Sequence, residues 1–123
     1  MSNLKFAATV QSHADALKFL GGRDSKRLAY ETRVESHEDG SASVYHHGTA
    51  IITYSPDGTI HGNNGGYHSS TTRNRLHALI PSGYRVFQRD YGQYIEGPGD
   101  VAHEYDRTFT IHSDGSITTD LHD

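Results

Sequence analysis

The chain of 123 residues contains no cysteine and no tryptophan, and only one methionine and three prolines. Without cysteine it can form no disulfide bond and no thiolate metal site, and it offers no thiol nucleophile. No apolar run approaches the roughly 20 residues of a membrane-spanning helix, and the N-terminus lacks a signal-peptide pattern, so we expect no membrane partner. The hydrophobic fraction of 33% and the mean hydropathy of -0.70 predict a small core under a large polar surface.

Glycine, tyrosine and histidine are plentiful, with 13, 8 and 10 residues respectively. The length corresponds to one ordinary domain, which can bury a core of its own. The net charge of -4 argues against a general surface for duplex nucleic acid, although a local basic face stays open.

The stretch 49–81 predicts a strand, a turn, a second strand, a loop and a helix in succession. Residues 49–54 are β-branched or aromatic at most positions, and Pro56 and Gly58 mark a turn before the pattern resumes at Ile60. A loop rich in glycine and asparagine follows at 62–66. We predict that Ser70, Thr71 or Thr72 caps a helix over 73–80.

Three turns share an Asp-Gly pair, at 37–41, 55–59 and 112–116, which is a strong hairpin signal. Alternation over 26–36 predicts one half-buried strand. Ser12-His13-Ala14-Asp15 resembles a capping box with Asp in place of Glu, so it predicts a short helix that includes residues 16–20 and is ended by Gly21 and Gly22. We therefore predict one α+β domain: a twisted antiparallel sheet or meander of roughly six to eight strands, with two short helices.

The predicted domain has three regions along the chain. Residues 1–11 form a loose arm or contain a first strand over 5–10, residues 26–96 form the core, and residues 97–123 add a C-terminal hairpin. The loop 97–100 is expected to break the sheet, because it contains two glycines and a proline.

Residues 26–95 resemble a widespread group of small bacteriophage proteins. The motifs that carry the resemblance are Tyr30-Glu31-Thr32, His47-Gly48-Thr49, Asp57-Gly58-Thr59-Ile60, Gly65-Gly66-Tyr67, Thr71-Thr72, Arg75-Leu76 and an aromatic hairpin over 84–94. The family often has tryptophan where this chain has Tyr67, and the resemblance does not extend beyond Gly97. It implies a phage origin and action in the host cytoplasm, and it carries no catalytic residue over to this chain.

The histidines at 46, 47, 61 and 68 lie close together in sequence. Imidazole suits zinc, nickel and copper, but the spacing signatures of zinc sites are missing, and the Asp-Gly turns lack the repeated acids of a calcium loop. We therefore predict no metal and no cofactor. His47-Gly48-Thr49 and His68-Ser69-Ser70 both read His-x-hydroxyl, which leaves a two-histidine phosphoesterase as one alternative.

Loop 62–66 followed by a helix start is a second candidate, because successive backbone N–H groups favour an anion. Arg73 and Arg75 point in different directions on a helix, and we expect both to lie toward its edges or solvent. The predicted binding surface joins this loop, the helix start and a hairpin tip. Its residues are Asn63, Asn64, Tyr67, Thr72, Arg73, Arg75 and Tyr91.

The hairpin over 84–94 interleaves arginines with aromatic residues, a pattern typical of surfaces for single-stranded nucleic acid or protein, and also of an ordinary half-solvated hairpin. The leading functional prediction is a non-enzymatic phage protein that binds a host protein, such as a CRISPR effector or a signalling nuclease, and so inhibits host defence. The alternatives are a module that binds a nucleotide or single-stranded nucleic acid, and the phosphoesterase.

Overall fold

The protein is described by a computed structural model that covers residues 10–121, so nearly all of the predicted N-terminal arm lies outside the described residues. The two helices are α1 (His13–Leu20) and α2 (Ser70–Ala78). The strands are β1 (Ser25–Ala29), β2 (Thr32–Ser36), β3 (Ala42–His46), β4 (Thr49–Tyr54), β5 (Ile60–Asn63), β6 (Arg85–Arg89), β7 (Gly92–Glu96), β8 (Ala102–Tyr105), β9 (Thr108–Ile111) and β10 (Ile117–Thr119).

All strand pairs are antiparallel, and they form two sheets. The large sheet has seven strands in the order β1-β2-β3-β4-β5-β9-β10, and the small sheet has the order β6-β7-β8. The predicted α+β class, with antiparallel strands and two short helices, is confirmed. The large sheet has seven strands, within the predicted six to eight, and residues 10–121 form a second, three-stranded sheet that the sequence does not predict.

The order of elements repeats along the chain: one helix followed by five strands occurs twice. The first five strands form a continuous meander, whereas the second five separate between β8 and β9, and β9 pairs with β5 instead. At the separation, the Asp120 carboxylate accepts hydrogen bonds from the backbone N–H groups of Asp106, Arg107 and Thr108, at 2.9, 2.9 and 3.3 Å. The residues after Gly97 thus contribute strands to both sheets.

Two predicted strand boundaries are wrong. Residues 26–36 form a hairpin, β1 and β2, in which Glu31 occupies the turn with a φ of 53°. Neither Tyr30 nor Glu31 is the glycine or asparagine that a turn with positive φ usually requires. The alternating pattern therefore continues across the turn and predicts one strand. The loop 97–100 does not break its sheet, since β7 and β8 on either side pair with each other.

The Asp-Gly turns lie where the sequence predicts them. In each turn the aspartate side chain accepts the backbone N–H two residues ahead, at 2.9 Å, which stabilises the turn locally. The backbone hydrogen bond is the main cause that lowers the pKa of Asp57 and Asp114, and the pKa of Asp39 is lowered first by the Ser41 hydroxyl and then by the Ser41 N–H. The glycine of the central turn, Gly58, has a φ of 97°, a conformation that other residues adopt only at a cost.

Both helices begin at a serine cap. Ser12 accepts the N–H of Asp15 in α1, as predicted, and Gly21 ends that helix with a φ of 60°. In α2 the cap is Ser69, which accepts the N–H of Thr72, so the helix begins three residues earlier than predicted and none of the three expected residues caps it. Ser69, the first of four consecutive hydroxyl residues, is therefore the N-cap of α2.

A single hydrophobic core lies between the inner face of the large sheet, the two helices and the small sheet. Tyr54 is fully buried and its hydroxyl donates to the Leu79 carbonyl of α2 at 2.6 Å. Phe109 of β9 packs against Gly62 of β5, where a Cβ would lie 2.2 Å from the ring. Tyr105 of the small sheet meets Phe109 edge to face at 5.2 Å, which joins the two sheets.

Candidate functional site

A cavity of about 380 Å³ opens beside the first turn of α2, between the β3–β4 turn and the loop that follows β5. We call it the helix-start cavity. Three of the predicted site residues line it, namely Asn64, Tyr67 and Thr72. The complete lining is His46, His47, Thr49, Ile51, Asn64, Tyr67, Ser69, Thr71 and Thr72.

The loop beside the cavity is held by its asparagines. Asn63 accepts the N–H of Gly65 at 2.8 Å, and Asn64 accepts the N–H of Gly66 at 2.7 Å while its amide donates to the Asp106 carbonyl at 2.9 Å. Asn64 is buried, so its hydrogen bonds fix the loop against the β8–β9 turn. Tyr67 follows with two-thirds of its surface exposed, at 66%.

Arg75 is buried, with 7% of its surface exposed, so the expectation that it lies toward solvent is wrong. The helical spacing explains this position, because Arg75 lies three residues after Thr72 and four before Leu79, and these residues share the inward face with Leu76. The guanidinium donates from Nε to Thr32 Oγ1 at 3.2 Å and from Nη2 to the Tyr30 carbonyl at 3.4 Å. In residues 10–121 no carboxylate lies within 4.0 Å of it.

His46 forms the cavity wall nearest to this arginine. It pairs across strands with Thr32, and its Nδ1 lies 3.5 Å from Thr32 Oγ1. Only 7% of its surface is exposed. Burial lowers the pKa of His46, and the charge of Arg75 and the neighbouring His47 lower it further, so the ring is neutral at pH 7.

His47 lies at the outer edge of the cavity. Its ring is 4.2 Å from that of His46, centroid to centroid, and its Nδ1 is 3.6 Å from a carboxylate oxygen of Glu31. Thr49, the hydroxyl residue of the first His-x-hydroxyl motif, lines the cavity, but neither His68 nor Ser70 of the second motif does. The His68 ring instead lies at Asp106, 2.9 Å from the carbonyl and 3.4 Å from the carboxylate.

Arg73 points to the small sheet. Its Nη1 donates to the His68 carbonyl at 2.9 Å and to Gln93 Oε1 at 3.3 Å. Gln93 and Tyr105 are cross-strand neighbours and both are buried. Gln93 Nε2 and the Tyr105 hydroxyl have no hydrogen-bond partner in the part of the chain that the structure describes.

Tyr91 stands at the tip of the β6–β7 hairpin with 92% of its surface exposed, and it does not line the cavity. The structure therefore brings the loop and the helix start together, whereas Tyr91 at the hairpin tip lies outside the cavity, although Gln93 of the same hairpin accepts a hydrogen bond from Arg73. A binding role for the seven predicted residues stays a prediction.

No group of three or more metal-ligating side chains occurs within residues 10–121. Other histidines bond to hydroxyls on the outer face of the large sheet. His61 Nδ1 is 3.0 Å from Thr110 Oγ1, and His112 Nε2 is 2.9 Å from Thr118 Oγ1.

The small sheet exposes a second candidate surface, which we call the aromatic–arginine face: Arg85, Phe87, Arg89 and Tyr94. The two rings stack at 5.6 Å with an interplanar angle of 16°. The Arg85 guanidinium lies 4.2 Å from the Phe87 ring centre, and that of Arg89 lies 4.7 Å from the Tyr94 ring centre. The opposite side of the same strands is buried in the core through Val86 and Ile95. The predicted alternation of this hairpin is confirmed.

The architecture defines an antiparallel α+β protein, and none of the helices in its described part could span a membrane. The chain belongs to the bacteriophage family described as Kyanoviridae Gp96 protein, whose model matches residues 11–116. The match extends well past Gly97, so the expectation that the resemblance ends there is corrected. No curated protein and no solved structure matches the chain.

The predicted site set omitted several residues of the cavity wall, chiefly His46, Thr49, Ser69 and Thr71. One signal was present for His46, because strand parity puts Ala42, Val44 and His46 on the same side of β3, and all three are buried. Whether Ser69 and Thr71 line the cavity depends on the residue at which α2 begins. Several consecutive hydroxyl residues can cap this helix, so the sequence alone does not specify its first residue.

Proposed function

We propose that this phage protein is a non-enzymatic binding protein that acts in the host cytoplasm on a host protein, as an inhibitor of host defence. The aromatic–arginine face carries the proposal. Stacked aromatic rings with guanidinium groups over them form a flat surface, and Tyr, Phe and Arg are enriched in the cores of protein interfaces. The buried inner side of the small sheet keeps this surface turned outward.

A protein partner suits the face better than nucleic acid because carboxylates lie among its arginines. Glu96 pairs with Arg85 at 2.6 Å, and Glu104 stands opposite Tyr94 in the register of β7 and β8. A polyanion would approach these charges and a protein whose net charge is -4. A protein surface with charges of both signs meets no such repulsion.

The proposal that the protein is not an enzyme rests on the surroundings of its carboxylates. Within residues 10–121 the carboxylates with a lowered pKa are Asp39, Asp57, Asp100, Asp114 and Asp120, and each accepts hydrogen bonds within or beside a turn. These shifts have a structural explanation, so they do not mark catalytic acids or bases.

The experiment compares phage plating on a defence-proficient host that expresses the parent protein or a variant. We expect the Phe87→Ala, Tyr94→Ala double variant to lower protection of the phage at least about tenfold, since hot-spot aromatics commonly contribute that much affinity. Tyr30→Ala is the control: Tyr30 is a tyrosine with 70% of its surface exposed at the β1–β2 turn, outside the aromatic–arginine face, whereas Phe87 and Tyr94 are half-buried.

Equal protection by the double variant and the parent would overturn the proposal, provided that the variant melts at the parent's temperature. Binding of a labelled single-stranded oligonucleotide that depends on Phe87 and Tyr94 and weakens steeply with salt would assign the face to nucleic acid instead.

A further inference from the structure

We propose that the helix-start cavity binds a small phosphate-bearing molecule of the nucleotide class. This site is separate from the aromatic–arginine face and goes beyond the proposed action on a host protein. Nine residues from three parts of the chain close around it, and its volume of about 380 Å³ is in the lower part of the range of small-molecule sites.

The cavity wall is rich in hydrogen-bond donors. Thr49, Ser69 and Thr71 place hydroxyl side chains in the lining, and no lining residue is acidic. The start of α2 adds the partial positive charge of a helix N-terminus. The Ser69 hydroxyl accepts the Thr72 N–H and donates to Thr72 Oγ1 at 3.2 Å, so the donors left for a ligand are the Thr49 and Thr71 hydroxyls and the N–H groups of the first turn before Thr72. Phosphate oxygens are acceptors of this kind.

Buried side chains supply an independent reason for an anion. Arg75 is a buried cation, and its hydrogen-bond acceptors in residues 10–121 are a hydroxyl and a carbonyl, both neutral. A buried charge without a counter-charge is costly. Thr32 connects Arg75 to the cavity wall, because its hydroxyl accepts from Arg75 and lies beside His46, which lines the cavity. An anion in the cavity would therefore lie on the other side of this wall from the Arg75 charge.

His46 itself points to a ligand. It is more than nine-tenths buried and lines the cavity. Its Nδ1 lies 3.5 Å from Thr32 Oγ1, its ring lies beside that of His47, and the Glu31 backbone also hydrogen-bonds to the imidazole. A phosphate oxygen or hydroxyl of a ligand in the cavity would add a further hydrogen bond to this ring, either as acceptor or as donor according to the tautomer.

The rim of the cavity favours a nucleotide over a bare phosphate. Tyr67 lines the cavity and is largely exposed, so one face of its ring can stack on a planar base. Glu31, the nearest acid, is held toward His47 at the outer edge, where a neutral ribose rather than the phosphate would meet it.

Isothermal titration with adenosine monophosphate, guanosine monophosphate, inorganic phosphate and adenosine tests the proposal. We expect the nucleoside monophosphates to bind more tightly than phosphate, and adenosine to bind most weakly. Tyr67→Ala should weaken the monophosphates and leave phosphate unchanged, because only the base contacts the ring.

Thr71→Asp is the decisive variant. It puts a negative charge into the lining at the first turn of α2, and we expect the affinity for both phosphate-bearing probes to fall at least about tenfold. The melting temperature should be unchanged or higher, because an acid in the first turn complements the helix dipole. Asn74→Asp is the matched control: it adds the same charge to the exposed side of the same helix, outside the cavity.

The proposal is overturned if neither phosphate nor the monophosphates bind, if Thr71→Asp and Asn74→Asp have equal effects, or if adenosine binds as tightly as its monophosphate. The Phe87→Ala, Tyr94→Ala variant should keep the parent's affinity for the monophosphates. Failure of the cavity proposal is thereby distinguished from failure of the host-protein proposal.

Discussion

Arg73 and Arg75 stand two positions apart in helix α2 and donate hydrogen bonds to different sheets. Arg75 reaches Thr32 of the large sheet at 3.2 Å, and Arg73 reaches Gln93 of the small sheet at 3.3 Å. Both acceptors occupy comparable places in the repeated order of elements, since each lies on the second strand after a helix and pairs with a buried residue at the end of the third. The helix thus ties together the two halves of the chain.

The two arginines should respond differently to charge reversal. We expect Arg75→Glu to lower the free energy of unfolding by about 3 kcal/mol, because it places an unpaired charge in a buried position. Arg73→Glu should cost about 1 kcal/mol, because its guanidinium is partly exposed. Urea unfolding measures both. Equal stability of Arg75→Glu and the parent would contradict this ranking.

Two buried tyrosines provide a matched pair. The Tyr54 hydroxyl donates to the Leu79 carbonyl at 2.6 Å, whereas the Tyr105 hydroxyl has no partner in the described residues. Tyr54→Phe should therefore cost about 1 to 2 kcal/mol, and Tyr105→Phe should leave the stability unchanged or raise it. Thermal or urea unfolding measures the stability of both variants. A larger loss of stability for Tyr105→Phe than for Tyr54→Phe would show that the Tyr105 hydroxyl donates to an acceptor.

The central Asp-Gly turn should be sensitive to its glycine. We expect Gly58→Val to lower the stability by about 2 kcal/mol, because a β-branched residue resists the φ of 97° found there. Gly58→Asn should cost less, since asparagine tolerates positive φ better than valine does. Melting temperatures that do not differ between these variants would indicate an ordinary φ at this position.

Stability should fall in mildly acidic solution because of His46. Burial and Arg75 lower the pKa of His46 in the folded state, so the unfolded chain takes up the proton first as the pH decreases below about 6.5. The groups that surround its ring are Thr32, His47, Glu31 and Arg75. We expect the parent to lose stability between roughly pH 7 and 5.

The control for this effect is His46→Gln, which cannot titrate there. Its unfolding free energy should change less over the same interval, as followed by urea unfolding at several pH values. Parallel curves for the parent and the variant would assign the acid sensitivity to other groups.

We expect experiments in solution to support neither a metal site nor a phosphoesterase activity. We expect a chelator to leave the melting curve unchanged, and the His47→Ala, His68→Ala double variant to keep its activity in the plating assay. The structure separates the two rings, because His47 is at the cavity edge beside Glu31 and His68 is held at Asp106. Loss of activity in a folded double variant would return the site to these histidines.

Much of the local structure was predictable from short stretches of sequence. Aspartate and glycine at fixed positions predict the turns, and the serine cap and terminal glycines predict α1. The Tyr30-Glu31 turn was missed because its positive φ at Glu31 is imposed by strand pairing rather than by residue type. The start of α2 was missed because four successive hydroxyl residues offered equivalent caps.

Local sequence patterns specify where the chain turns and which side of most strands faces the core, because backbone preference and alternation act within a few residues. The pairing of β5 with β9, the division of the strands into two sheets and the buried position of Arg75 follow from the folded arrangement alone. Those outcomes depend on contacts between residues far apart in the chain, whose free energy no local pattern contains. The helix-start cavity belongs to the second group, since its wall is assembled from a strand turn, a loop and a helix that meet only in the folded protein.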